Sequence, residues 1–426
     1  MPPYLFRLQR GPNISMSVYL RVNTQMPDFN YDYDVSWILE LEAEYEKAHG
    51  RAPICLSRWD TSDALSYPTL LIEVACRETG GAFRYHYSHE LLNLKELVAN
   101  YVMNSMEYVD EINTKNVAIL SSATASLFLI LLSLKRHGLK KGLSCRPIYW
   151  SIRQNCSDLG LQLELLDCYS RNNYLIPWNE FVQRIRSEKY DFVILTNPIY
   201  SVGLEIDSQY ISALQQSCKD AGSLLIIDEA FHMPWFPTPR LPTYSQDMIV
   251  VRSPTKKLFA NGLKIAHVVG PQEIINDIEK LSEPVIGGLH FGQVRFAEIL
   301  YNAEDHKDIH SGIKTMFESN IQMLSAYYER IQEICRNFGG ARLAKANSGS
   351  STILELARLY NSDSIVEQLV FTAIRSRGIS IIPSWRYSIT RDGNPFGIRI
   401  NLAQVGEVYV ECVRQILELS NGFCQD

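Results

Sequence analysis

From about residue 117 onward the chain alternates short, mostly apolar runs with longer stretches in which apolar residues recur at helical spacing. The runs are Val117 to Leu120, Pro147 to Trp150, Leu161 to Leu166, Phe192 to Thr196, Leu224 to Asp228, Met248 to Val251 and Ile265 to Val269. A strand without polar alternation is covered on both faces, and helices between strands serve as crossovers. The pattern therefore predicts an α/β fold: a mostly parallel central sheet with helices on both faces. In such sheets ligands gather beyond the carboxyl ends of the strands.

Both ends of the chain predict a smaller α+β part. Val35 to His49 reads as a helix, and His306 to Asn337 as a long one. A strand follows near Thr352 to Leu356, a helix near Ser364 to Arg377, strands near Ile379 to Ile382 and Gly397 to Leu402, and a last helix from about Gly406. Residues 1–55 are expected to give an N-terminal arm and part of the small domain, 56–300 the large domain, and 301–426 the connecting helix and C-terminal small domain. Pro2 to Tyr33, mixed in polarity, reads as an irregular arm.

Composition narrows the function. At 426 residues the chain is too long for one core. The net charge of -6 comes with no basic stripe, so the phosphate-backbone attraction that drives nucleic-acid binding is missing. The most apolar run, Leu127 to Leu134, stops at Lys135, far short of the roughly 20 residues that cross a bilayer. Met1 to Gly11 carries two arginines but no sustained apolar core, and a cytoplasmic enzyme is expected. The nine cysteines are scattered singly, which favours buried reduced thiols over a metal site, so no metal is expected.

Three motifs fall at predicted strand ends. Ser121-Ser122-Ala123-Thr124-Ala125-Ser126 follows the first strand and opens a helix, where small residues, free amides and hydroxyls suit a phosphate. Asp228-Glu229-Ala230 ends another strand, and Lys256 lies just past a later one. A buried acid can hold a protonated ring nitrogen, while a lysine can form an imine with an aldehyde cofactor and then work as acid and base. Together they suggest a pyridoxal phosphate enzyme.

The chain resembles the fold-type I pyridoxal phosphate enzymes of the aspartate aminotransferase superfamily, class I/II branch, over roughly residues 55 to 420. The resemblance is carried by Ser253, Lys256 and Gly262, by Asp228-Glu229-Ala230-Phe231, by Ile398-Arg399-Ile400-Asn401-Leu402-Ala403 and by the Ser122 to Thr124 turn. It implies pyridoxal 5'-phosphate held by Lys256, with Lys257 as the out-of-register competitor, and Asp228 on the pyridine nitrogen. The phosphate is expected on Ser122, Ala123, Thr124, Ser253 and Lys264, the ring against Tyr149, and a substrate carboxylate on Arg399. Tyr85 or Tyr87 resembles the family tyrosine that reaches into a neighbouring subunit, which implies a homodimer.

The chain also departs from the pattern. Asn197-Pro198-Ile199-Tyr200-Ser201-Val202-Gly203 has Tyr200 where the family has the asparagine that donates to the cofactor's phenolic oxygen, and Phe231 replaces the tyrosine donating to the same atom. Lys264 stands for the usual arginine. The resemblance implies an aminotransferase acting on an α-amino acid and a 2-oxo acid. The alternative is another pyridoxal phosphate reaction (elimination, replacement, cyclisation or decarboxylation), favoured by Tyr200, Phe231 and a cofactor-adjacent His232. A non-catalytic descendant is the third reading. Arg386, Tyr387 and His290 could touch a polar substrate, but are read as ordinary surface or packing residues.

Overall fold

The apolar runs become the strands of one sheet in the computed structural model of the protein, which describes residues 35–77, 85–105, 107–108, 110–235, 243–245, 247–357, 359 and 363–423. These strands are β1 (Val117–Leu120), β2 (Lys141–Arg146), β3 (Gln162–Asp167), β4 (Phe192–Thr196), β5 (Leu224–Asp228), β6 (Ile249–Arg252) and β7 (Ala266–Val269). Their order is β1-β7-β6-β5-β4-β2-β3, parallel throughout except that β7 runs antiparallel to β1 and β6. Alternate residues enter different cores. Ile119 joins the cluster holding Leu195 and Ile227, whereas Ala118 and Leu120 join the one holding Ile194 and Ile226. The two-sided burial predicted from the apolar runs is thus observed in the central strands, whereas the edge strand β3 is only half-buried.

The run predicted at Pro147 to Trp150 is not a strand. The strand lies earlier, at β2, and Trp150 opens the helix Trp150–Asp158. Lys141, Ser144 and Arg146 interrupt the apolar pattern of β2, and the buried Ser144 hydroxyl is satisfied by donating to the Ile194 carbonyl at 2.5 Å. Proline, with no N–H, does not serve a central ladder.

The second layer is antiparallel: β8 (Ala341–Leu343), β9 (Ser351–Leu356) and β10 (Phe396–Asn401), in that order. The helices Ser36–His49, Lys307–Asn337 and Glu407–Phe423 cover it through Ile38, Leu324, Ile331 and Val413, which cluster with Leu354 and Ile398. Ile54–Cys55 pairs in parallel with Ile379–Ser380, which ties the start of the described chain to this layer. Gly203 lets the loop after β4 reach β9. Its φ of +76° is left-handed, and a side chain there would collide with the carbonyls of Ser351 and Ser348.

These layers form one compact unit; the arm predicted over Pro2 to Tyr33 lies outside the described residues. Among the described residues no helix is long and apolar enough to cross a membrane. Cys55, Cys145, Cys156, Cys168, Cys218, Cys335 and Cys412 are free and buried.

Candidate active site

Sheet register brings the strand-end motifs to one edge. Asp228, the last residue of β5, pairs with Thr196 at the end of β4 and with Val251 near the end of β6. The chain leaving β6 passes Ser253 and turns through the short helix Pro254–Lys257. Because β7 is antiparallel, its beginning lies at this same edge. Ala266 pairs with Leu120, which sets Lys264 near the Ser121-Ser122 turn. Gln293, which the sequence did not single out, fastens this junction: its amide nitrogen lies 2.9 Å from the Leu263 carbonyl, 2.7 Å from that of Lys264 and 3.4 Å from that of Ser121.

Asp228 lines a small cavity together with Trp59, Tyr149, Tyr200, Phe231 and Ser351. Burial pushes its carboxyl up to about 7, and the neighbouring Glu229 adds to this, while the Ala230 amide, donating at 3.0 Å, works against it. Lys256 shifts the other way. Burial, then the charges of Arg399 and Lys264, bring its amine down to about 8. Its Nζ lies 5.0 Å from the centre of the Phe231 ring and 5.8 Å from that of Trp59. Lys257 turns elsewhere, 4.8 Å from the centre of the Phe317 ring.

At the other end of this edge, Ser122 caps the helix Ala123–Arg136, its hydroxyl accepting from the Ala125 amide at 3.1 Å. The amides of Ala123 and Thr124 begin that helix, where its dipole is positive. Thr124 Oγ1 lies 3.1 Å from the Tyr149 hydroxyl, linking the helix start to the cavity wall. Ser253 is held from behind, its hydroxyl donating to the Ile265 carbonyl at 2.8 Å. Lys264 is exposed and has a positive φ of 41°.

Arg399 arrives from β10 and is fully buried. Its guanidinium carbon lies 2.9 Å from the centre of the Trp59 ring and 4.6 Å from that of Tyr387. Trp59 packs on Phe231 at 4.3 Å between ring centres, and Tyr200 lies 5.4 Å from Tyr149 and 6.4 Å from Trp59. Trp59 and Tyr387 were not read from the sequence as site residues. Trp59 sits in an irregular stretch without periodicity, and nothing in its neighbours marks it.

His232 does not face the Asp228 cavity. It pairs with Glu205 at 2.7 Å and lines a separate cavity with Glu229, Arg252 and His267. Glu229, the second acid of the motif, is structural. Against the cost of burial, Arg252, His232 and Tyr244 hold its carboxyl at about 2, with Arg252 donating at 2.8 Å and Asn197 at 3.0 Å. Tyr85 is 80% exposed and stacks on Tyr87 at 5.9 Å, beside the bridge that pairs His86 with Leu289. Among the described residues no cluster of histidine, cysteine or carboxylate side chains could hold a metal.

The donor set suits a group with three features. A buried acid with a raised pKa is relieved by a cationic ring nitrogen, a buried amine with a lowered pKa can attack an aldehyde, and a capped helix N-terminus beside an exposed lysine receives an anion. All three stand at one sheet edge.

A model of the family described as aminotransferase class I and II matches residues 66–415. An aspartate aminotransferase of Pyrococcus horikoshii is 20% identical over 334 residues, covering 77% of this chain and 81% of that protein. A histidinol-phosphate aminotransferase of Chlorobium phaeovibrioides is 29% identical over 120 residues, 28% of this chain and 31% of the relative. Among solved structures, the fold is shared with a mutant Thermus thermophilus aspartate aminotransferase, with a TM-score of 0.74 and 14% identity over 91% of this chain and 96% of that one. Substrate-bound BacF from Bacillus subtilis gives a TM-score of 0.71 and 18% identity over 90% and 94%.

Proposed function

Because the chain belongs to the aminotransferase class I and II family, we propose that it binds pyridoxal phosphate and transfers the amino group of an α-amino acid to a 2-oxo acid. The observation that carries this reading is the opposite tuning of two groups at one sheet edge: Asp228 raised to about 7 and Lys256 lowered to about 8. Burial raises a carboxyl and lowers an amine, so each is left waiting for the partner that the other end of a pyridine aldehyde provides. When bound, the cofactor supplies an aldehyde for the amino group and an electron-accepting ring.

The rest is done by the chain. Asp228 keeps the ring nitrogen protonated. Lys256 Nζ would hold the cofactor through its aldehyde and, as a free amine, would move the proton at the substrate α-carbon. Ser122, Ala123, Thr124, Ser253 and Lys264 receive the phosphate; Lys264 neutralises it without the planar fork of an arginine. Tyr149 packs on the ring, Tyr200 donates to its phenolic oxygen, and Arg399 takes the substrate carboxylate. The proposal includes a cytoplasmic homodimer, with exposed Tyr85 or the adjacent Tyr87 reaching a partner subunit. It also includes a division of the chain at residues 55 and 300, which is supported by the separate apolar cluster joining Ile38 to Leu324 and Val413.

Single amino acids without any oxo acid test the reading. The loaded protein should convert its cofactor to the amine form once per site. A second reading, another pyridoxal phosphate reaction, is favoured by Phe231, which lines the cavity without the hydroxyl that the family usually places there; it gives a modified amino acid with no net amination. Absence of any spectral change with any amino acid counts against both readings and leaves a non-catalytic role.

A further inference from the structure

Arg399 is buried behind an aromatic side chain, Trp59, that lines the wall of the Asp228 cavity. Trp59 lies with its ring against the guanidinium, and Tyr387 approaches the same group at 4.6 Å. A planar guanidinium stacks on rings through its face and grips a carboxylate through its edge. A ring against the face therefore fixes the plane in which the edge must be offered.

Trp59 is strapped in place by its neighbours. The Ser57 hydroxyl donates to the Arg399 carbonyl at 2.7 Å and accepts from the Ile382 amide at 2.9 Å. Tyr387 donates its hydroxyl to the Ser57 carbonyl at 3.0 Å. On the far side, the Asn401 amide side chain donates to the Asp60 carbonyl at 2.5 Å, and that of Asn261 to the carbonyl of Trp59 itself at 3.1 Å. Asn261 belongs to the loop that follows Lys256. The strap thus joins β10, which carries Arg399, to the lysine loop, with the indole standing between the two cations: on Arg399 and 5.8 Å from Lys256 Nζ.

We propose that Trp59 is the positioning residue for carboxylate recognition: by stacking on Arg399 it holds the guanidinium edge in the plane that receives the carboxylate of an α-amino acid. Trp59 acts through Arg399 and takes no proton. The proposal rests on the functional reading above for the identity of the substrate, but its test needs no turnover.

The test is equilibrium binding of an unreactive monocarboxylate, 3-phenylpropionate, to the cofactor-loaded protein, measured by calorimetry. Arg399→Ala should abolish binding. Trp59→Ala should weaken it about ten-fold, the loss expected from removing a desolvated cation–ring contact, and Trp59→Phe should recover part of this. The matching amine, 2-phenylethylamine, should alter the cofactor absorbance equally in wild type and Trp59→Ala, because it has no carboxylate to be positioned. The proposal is overturned if Trp59→Ala, shown folded by its melting curve, binds the carboxylate as wild type does. It is equally overturned if acid and amine are weakened alike, if Trp59→Phe behaves as Trp59→Ala, or if the wild type or Arg399→Ala shows that the carboxylate is not held by Arg399. Amination of the cofactor by amino acids decides the functional reading separately.

Discussion

Lys256, half-buried, and Arg399, fully buried, are both cations beside aromatic rings, yet they are placed by different means. Lys256 follows from the backbone: a parallel strand ends, the chain turns through Ser253 and Pro254, and the residue after that turn stands beside the end of β5. Arg399 follows from packing: it lies inside a strand of the small sheet, and its direction is set by Trp59 and Tyr387, which come from two other segments. The first arrangement depends on topology and so leaves a short, ordered motif. The second depends on side chains far apart in sequence, so it can vary without changing the fold.

The largest effect is expected at the cofactor end. Asp228→Ala should weaken pyridoxal phosphate binding by about 10² to 10³, because a buried cationic ring nitrogen then loses its carboxylate. A fluorescence titration of the cofactor reads this. Measured at a pH where Lys256 is fully deprotonated, Arg399→Ala should leave that affinity unchanged, while raising KM for an α-amino acid by about 10- to 100-fold, the range of a charge-assisted two-pronged contact. Steady-state kinetics on the same preparations would show whether the two ends separate as described.

The two ends are also coupled through charge. Lys256 is held at about 8 by burial and by the nearby positive charges of Arg399 and Lys264. Below that pH the amine carries its proton and cannot attack the cofactor aldehyde, so the rate of cofactor attachment should rise with pH and level off near 8. Removing Arg399 takes away one like charge, raises the Lys256 pKa and should move the plateau to higher pH. Stopped-flow mixing of cofactor with the cofactor-free protein across pH measures both curves.

The smallest expected effect concerns Tyr200. On the proposed reading, with Phe231 unable to donate, Tyr200 would be the remaining outside donor to the phenolic oxygen. Tyr200→Phe should then leave the proton shared between cofactor nitrogen and oxygen more firmly held, moving the visible transition of the bound cofactor upward by about one pH unit or less. A titration curve that stays in place would mean that Tyr200 does not touch the cofactor.

Legibility follows the same division. The seven-stranded sheet was readable because continuous apolar runs report two-sided burial, and Asp228, Lys256 and the Ser122 turn were readable because strand ends are where such sheets hold ligands. The exception, β2, hides its burial behind Lys141, Ser144 and Arg146, whose polar groups are satisfied by partners that the sequence does not display. Arg399 showed itself only through the strand motif around it. Trp59, Gln293 and Asn261 gave no signal: each acts through contacts with residues about 30 to 340 positions away. His232 misled for the opposite reason. Its place beside Asp228 in the chain suggested the cavity, but the turn after Glu229 carries it to Glu205.

The register of Lys256 underlies every assignment, and one measurement tests it directly. The cofactor-loaded protein is reduced with borohydride, digested, and the pyridoxyl-bearing peptide sequenced by mass spectrometry. The account predicts the label on Lys256, in the peptide that begins after Arg252 and includes Ser253. A label on Lys257, whose side chain turns toward Phe317, or on no lysine of this loop, would contradict it.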